Sequence, residues 1–183
     1  MKKYLIIVIV LMAAMALADS EGPNSPASSF ITPDPNDWSN ITNAYSSDDA
    51  YASITAATQD TVEYCEFNFA IDIAATIDSF KVKLEGQDGS GIVLDVGVCE
   101  DIRNELTTSW EEISLPTKSE GVDSAFFSGS GFSPSEVNSV YFGIYIRKHS
   151  TSPDLIDVDH ATITAFFTLP SSASGQVIII GGD

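Results

Sequence analysis

The chain of 183 residues has few cationic side chains and few cysteines, and beyond its first 18 residues no apolar run long enough to span a bilayer. It carries 8 Lys+Arg against 26 Asp+Glu, with only two His, for a formal net charge of −18. A surface this acidic repels phosphate backbones and anionic lipid, which argues against nucleic acid and against an anionic membrane as partners. The acid suits solubility in salt, and it offers the hard oxygens that divalent cations take. Two Cys and two His make no zinc signature. Phosphate-cradling glycine loops are lacking, and the nearest pattern, Ser128-Gly129-Ser130-Gly131, reads as a turn. No Gly-x-Ser-x-Gly elbow accompanies Asp159-His160, so a serine triad has no framework. Two carboxylates for glycoside hydrolysis could be drawn from 26 acids, but abundance is not a pattern. These absences predict a protein that is not an enzyme.

The N-terminus holds the one long apolar segment. Met1-Lys2-Lys3 is a positive start, Tyr4 to Ala18 is apolar, and Ala16-Leu17-Ala18 is a small-x-small cleavage signal. Residues 1–18 thus read as a secretory signal peptide, and the chain as secreted or displayed at a cell surface. The run falls short of the ~20 residues that span a bilayer. No Cys follows it to take a lipid. Losing Lys2 and Lys3 with the signal takes the net charge from −18 to −20. In an exported chain Cys65 and Cys99 are expected to pair, closing a loop of about 34 residues and stabilising by roughly 3–4 kcal/mol. Cys65 alternates in phase with Phe67 and Phe69 and points inward, whereas Cys99 is out of phase with Leu94, Val96 and Val98. A bulge or strand end is needed to bring their Cβ atoms together.

What the sequence has is period-two alternation. Val140, Phe142, Ile144 and Ile146 fall on one face of an extended run, and Tyr141, Tyr145 and Arg147 on the other. Ala161, Ile163, Ala165, Phe167 and Leu169 form a second apolar face, reached through a loop of Ser, Pro and Asp. Further strands are predicted over 61–69, 77–85, 92–99, 107–115 and 122–128, with a glycine-bearing turn at 87–91. Ser133-Pro134-Ser135-Glu136 signals one helical turn near 133–138. Seven to nine short strands and no long helix predict an all-β fold, an antiparallel two-sheet sandwich of jelly-roll type. Its domain is expected over 37–169, with Trp38 as an anchor in the core. The polar stretch 19–36 reads as a flexible leader, and 170–183 as a linker followed by a C-terminal strand.

The order Trp38, Asn43-Ala44, Asp48-Asp49, Tyr51-Ala52, then Phe67, Phe69, Ala75-Thr76-Ile77-Asp78, then Asn138, Phe142-Gly143-Ile144, then Val158-Asp159-His160, Ile163-Thr164, Phe167-Thr168 resembles a family of uncharacterised secreted and phage-associated β-sandwich modules. Ser79 stands where that pattern usually has Gly after Ile-Asp. The resemblance covers roughly residues 37 to 169, implies a non-catalytic module, and carries no catalytic residues across.

Several groups invite a role. Asp48 and Asp49 lie near the start of the domain, and Asp157 and Asp159 at the start of its last strand. First and last strands of a sandwich often lie side by side, so these four carboxylates are candidate calcium ligands; otherwise they cap turns. No other cofactor is indicated. Tyr141 and Tyr145 on one strand face, with Tyr64 on a similar one, are candidate sugar platforms, against packing beneath a loop. Asn40-Ile41-Thr42 is a glycosylation sequon. Val177, Ile178, Ile179 and Ile180 form a β-branched run after the linker, able to add to the chain's own sheet or to a neighbouring subunit. Two functions follow. One is a structural, self-associating surface protein, a filament, surface-layer or virion-type component. The other is a carbohydrate-binding or adhesion module, stabilised by calcium.

Overall fold

The computed structural model describes residues 18–32, 37–55, 59–102 and 107–170. Among them are eleven strands: β1 (Ala18–Asn24), β2 (Ser28–Thr32), β3 (Trp38–Ser39), β4 (Ala52–Ile54), β5 (Thr61–Cys65), β6 (Thr76–Asp88), β7 (Val93–Cys99), β8 (Thr107–Ser114), β9 (Gly121–Ser128), β10 (Gly143–Lys148) and β11 (Ile156–Thr168). They form two sheets. The first runs β3-β4-β11-β6-β9, with β1 also pairing β11; the second runs β2-β5-β10-β7-β8. All named strand pairs are antiparallel. This is the two-sheet, jelly-roll-type sandwich that the alternation predicts.

The core is the sum of the inward faces. β6 contributes Phe80, Val82 and Leu84, β7 contributes Leu94, Val96 and Val98, β10 contributes Ile144 and Ile146, and β11 contributes Ile163, Ala165 and Phe167. The rings of Phe80, Phe132 and Phe142 meet at its middle, with centroids 5.0 to 6.0 Å apart. Trp38 is buried and donates its indole N–H to the Asp60 carbonyl at 2.8 Å, which fixes β3 to the chain entering β5. The helical turn is present as α1 (Pro134–Val137). Ser133 Oγ accepts from the Glu136 N–H at 3.3 Å, and Glu136 Oε2 accepts from the Ser133 N–H at 2.6 Å. The Ser133 hydroxyl, which donates to Oε2 at 2.7 Å, and then the Ser133 N–H hold the Glu136 carboxyl below its ordinary range.

The structure departs from the sequence reading in four places. The stretch expected to be a flexible leader supplies β1 and β2, which pair with β11 and β5. Their pairing is by backbone, and a polar strand suffices at an edge. The strand expected from Val140 begins only at Gly143, and Val140 is exposed. β5 has the opposite phase to that expected. Val62 and Tyr64 enter the core while Glu63 and Cys65 lie on the outer face, because Glu66 and Asn68 adopt positive φ and break the alternation before Phe67 and Phe69. Finally, the cysteines are not paired; both are buried and free. Cys65 and Cys99 are each registered against Gly143, one on either side of β10. Two strand spacings of ~4.8 Å put their Cα atoms about 10 Å apart, beyond the ~7 Å limit of a disulfide. The linker and the strand Val177–Ile180 lie outside the described residues, as does all of the signal segment but Ala18.

Candidate functional site

Two places on the molecule gather chemistry, one on each sheet. The first is the outer face of the second sheet. Register carries one row of residues straight across it: Phe30 opposite Glu63, Glu63 opposite Tyr145, Tyr145 opposite Gly97, and Gly97 opposite Trp110. Phe30 and Trp110 stand on the two edge strands, about 19 Å apart over four strand spacings. The adjacent row places Thr61, Arg147, Asp95 and Glu112 side by side. Gly97 has no side chain, so the Tyr145 and Trp110 rings approach each other over it, with centroids 6.3 Å apart. The Arg147 guanidinium lies 4.1 Å from the centre of the Trp110 ring and donates through Nε to Asp95 Oδ2 at 3.1 Å. His149 Nδ1 lies 2.7 Å from the other Asp95 oxygen and 3.7 Å from Glu112 Oε1. Its pKa is raised, chiefly by the hydrogen bond to Asp95.

Part of this face is roofed. The Ile102 N–H donates to the Tyr141 carbonyl at 3.0 Å, and Tyr145 Oη donates to the Ile102 carbonyl at 2.8 Å. Gly143 makes room for that roof, since a Cβ there would lie 2.7 Å from Ile102 Cγ2 and 2.3 Å from the Tyr64 carbonyl oxygen. Tyr145, Cys65, Cys99 and Ile102 therefore form a small second core, with half-buried Trp110 packed against it. What stays open is the flank of Trp110, Arg147 and Glu112, and at the far edge Phe30, which is 49 % exposed.

This corrects the tyrosine expectation. Tyr145 does lie on the outer face, but it is buried under Ile102 and supports Trp110. Tyr141 precedes β10 and is separated from Tyr145 by the strand's start. Tyr64 is a core residue whose hydroxyl donates to the Ile41 carbonyl at 3.0 Å. Trp110, Phe30, Asp95 and Glu63 were not singled out in the sequence, because only the register of five strands brings them into line. Arg147 was placed on the correct face by alternation.

The second place is a carboxylate cluster on the first sheet. One carboxylate oxygen from each of Asp49, Glu120 and Asp159 lies within 4.8 Å of the others. Asp159 is the extra residue of a bulge in β11: Val158 pairs with Gly86 and His160 with Glu85, leaving Asp159 without a partner on β6. Close approach of β6 at this point requires Gly86, where a Cβ would lie 2.1 Å from the Asp157 carbonyl oxygen. Asp159 Oδ1 accepts the Asp48 backbone N–H at 3.3 Å. Glu120 precedes β9, whose first residue Gly121 pairs with Gly86. Tyr51, just before β4, donates its hydroxyl to Glu120 Oε2 at 3.3 Å.

Of the four carboxylates expected together, the structure unites Asp49 and Asp159 and adds Glu120. Asp48 contributes its backbone to Asp159, while its side chain accepts from Ser46 Oγ and the Ala50 N–H, as a turn cap does. Asp157 is held apart by Ser53 Oγ and Gln87 Nε2. Asn40 is exposed in front of the 3-10 turn Ile41–Ala44, so its side chain is accessible.

No family model matches the chain, and no curated protein matches it. Several solved structures are similar to it. A "Family 16 Carbohydrate Binding Module-2" is 9% identical over 73% of this chain and 89% of its own, with a TM-score of 0.44. The C-terminal family 6 module of a marine laminarinase from Zobellia galactanivorans is 11% identical over 81% and 98%, with a TM-score of 0.42. A Stig cyclase from Fischerella sp. TAU is 10% identical over 87% and 79%, with a TM-score of 0.39. With TM-scores under 0.5, these likenesses select no activity for this chain.

Proposed function

We propose that the chain is a secreted, non-catalytic module that binds a neutral glycan at the β8 side of the outer face of its second sheet. The observation that carries this is the open flank of Trp110, Arg147 and Glu112 on and beside the edge strand β8. Sugars present apolar C–H faces and a rim of hydroxyls. An aromatic ring takes the first by stacking, and an exposed carboxylate beside a guanidinium takes the second by hydrogen bonds. The net charge of −18 disfavours anionic glycans. Support for secretion is the N-terminal signal pattern.

The test is affinity electrophoresis of the chain from residue 19 through gels containing soluble β-glucan, galactan, mannan or xylan, beside an anionic polymer such as alginate. Retardation by at least one neutral polymer is expected. Trp110→Ala is expected to weaken that binding about 30-fold, the scale of a hot-spot truncation. Retention by alginate alone, or binding indifferent to Trp110, overturns the proposal.

Self-association is the second reading, and one structural observation favours it. Phe126 and Val122 stand exposed on β9, the edge strand of the first sheet.

A further inference from the structure

We propose that Asp49, Glu120 and Asp159 bind a calcium-class divalent cation on the first sheet, away from the glycan face. Three carboxylates from three separate parts of the chain converge there, from the loop before β4, the turn before β9, and the bulge of β11. Like charges this close repel unless a cation or a shared proton lies among them. Among the described residues, no Lys or Arg forms an ion pair with any of the three.

Asp159 supplies the independent observation. Its side chain is fully buried, and Oδ2 has no hydrogen-bond partner. A buried carboxylate oxygen of this kind is costly unless something positive meets it, and the Asp48 N–H satisfies only Oδ1. The bulge is what turns this acid out of the strand's regular alternation, so the fold builds the exception at this one residue.

The geometry suits calcium. Oxygens at 2.3–2.6 Å from one ion lie at most about 5 Å from each other, and the three here are within 4.8 Å. Asp49 and Glu120 are exposed, which leaves room for waters to complete a shell of 6–8 oxygens and tolerates the flexible coordination that calcium accepts and magnesium does not. Tyr51 anchors the Glu120 carboxylate through Oε2. The expectation of four clustered aspartates is thereby replaced by a mixed set whose third member is a glutamate.

A cation here ties three distant segments of the folded chain and binds the unfolded chain weakly, so it raises stability by mass action. The experiment is scanning calorimetry of the chain from residue 19, stripped with EDTA and then supplied with calcium or magnesium, alongside calorimetric titration with calcium. The melting temperature is expected to rise by about 5–10 °C at calcium 100-fold above its Kd, and less with magnesium. Asp159→Asn keeps the acceptor for the Asp48 N–H and removes the charge. It is expected to lose the calcium shift while melting no lower than the wild type in EDTA, because repulsion is relieved. Glu120→Gln, at an exposed position, is expected to weaken calcium binding at least 10-fold and provides the same comparison should Asp159→Asn not fold. A wild type with no calcium shift and no heat of binding overturns the site, as does a shift that survives in Glu120→Gln undiminished. Glycan retention by the EDTA-stripped chain tests the other face separately.

Discussion

Gly143 separates Cys65 from Cys99 and leaves the space that Ile102 fills above them. Burial raises the Cys65 thiol to about 11 and pushes the Cys99 thiol up as well. The thiolate is the reactive form, so neither residue is a nucleophile at neutral pH. Iodoacetamide at pH 8 is expected to leave the native chain unmodified and to label both thiols after unfolding without reductant. A mass showing no free thiol in the unfolded chain would restore the disulfide that the sequence suggested. His149 acts in the opposite sense. Asp95 raises its pKa above the ordinary value of 6.5, so its stabilising contact is complete below the unfolded value and is lost as the pH rises through the folded one. The wild type is therefore expected to melt above His149→Gln at pH 5.5, with the gap closing by pH 8.5. A gap that widens with rising pH would contradict this assignment.

Among the elements, β11 was the most legible, because its alternating Ala161, Ile163, Ala165 and Phe167 face a core on one side only. β6 and β9 were legible for the same reason. The bulge was not, since Val158 and Ala161 are both core residues and only an unpaired residue between them reconciles the two phases. β1 and β2 were hidden because backbone pairing holds them, and positive φ at Glu66 and Asn68 disguised the phase of β5. Glu120 was one acid among 26, and its position follows from Gly121 pairing with Gly86. The bulge gives an element-scale prediction. Gly86→Val places a side chain against the Asp157 carbonyl and is expected to lower stability by at least about 1–3 kcal/mol in urea unfolding, with loss of calcium binding. Wild-type stability in this variant would show that the close approach of β6 and β11 is not required.

At the scale of the whole molecule, the two sheets carry different chemistry. The first carries the carboxylate cluster, the second the aromatic and charged row. If chains associate through Val177–Ile180, the solution mass of 19–183 should exceed that of 19–170; equal monomeric masses would remove the assembly reading. The proposed glycan site requires that Trp110 meet a sugar. The chain has two Trp, and Trp38 is buried in the core, so a ligand at the row alters the fluorescence of Trp110 alone. The direct measurement is intrinsic fluorescence during titration with oligosaccharides of the retarding polymer. A saturable change in emission is expected for the wild type, absent in Trp110→Phe. Saturable binding by calorimetry with unchanged emission would place the ligand elsewhere and contradict the proposed site.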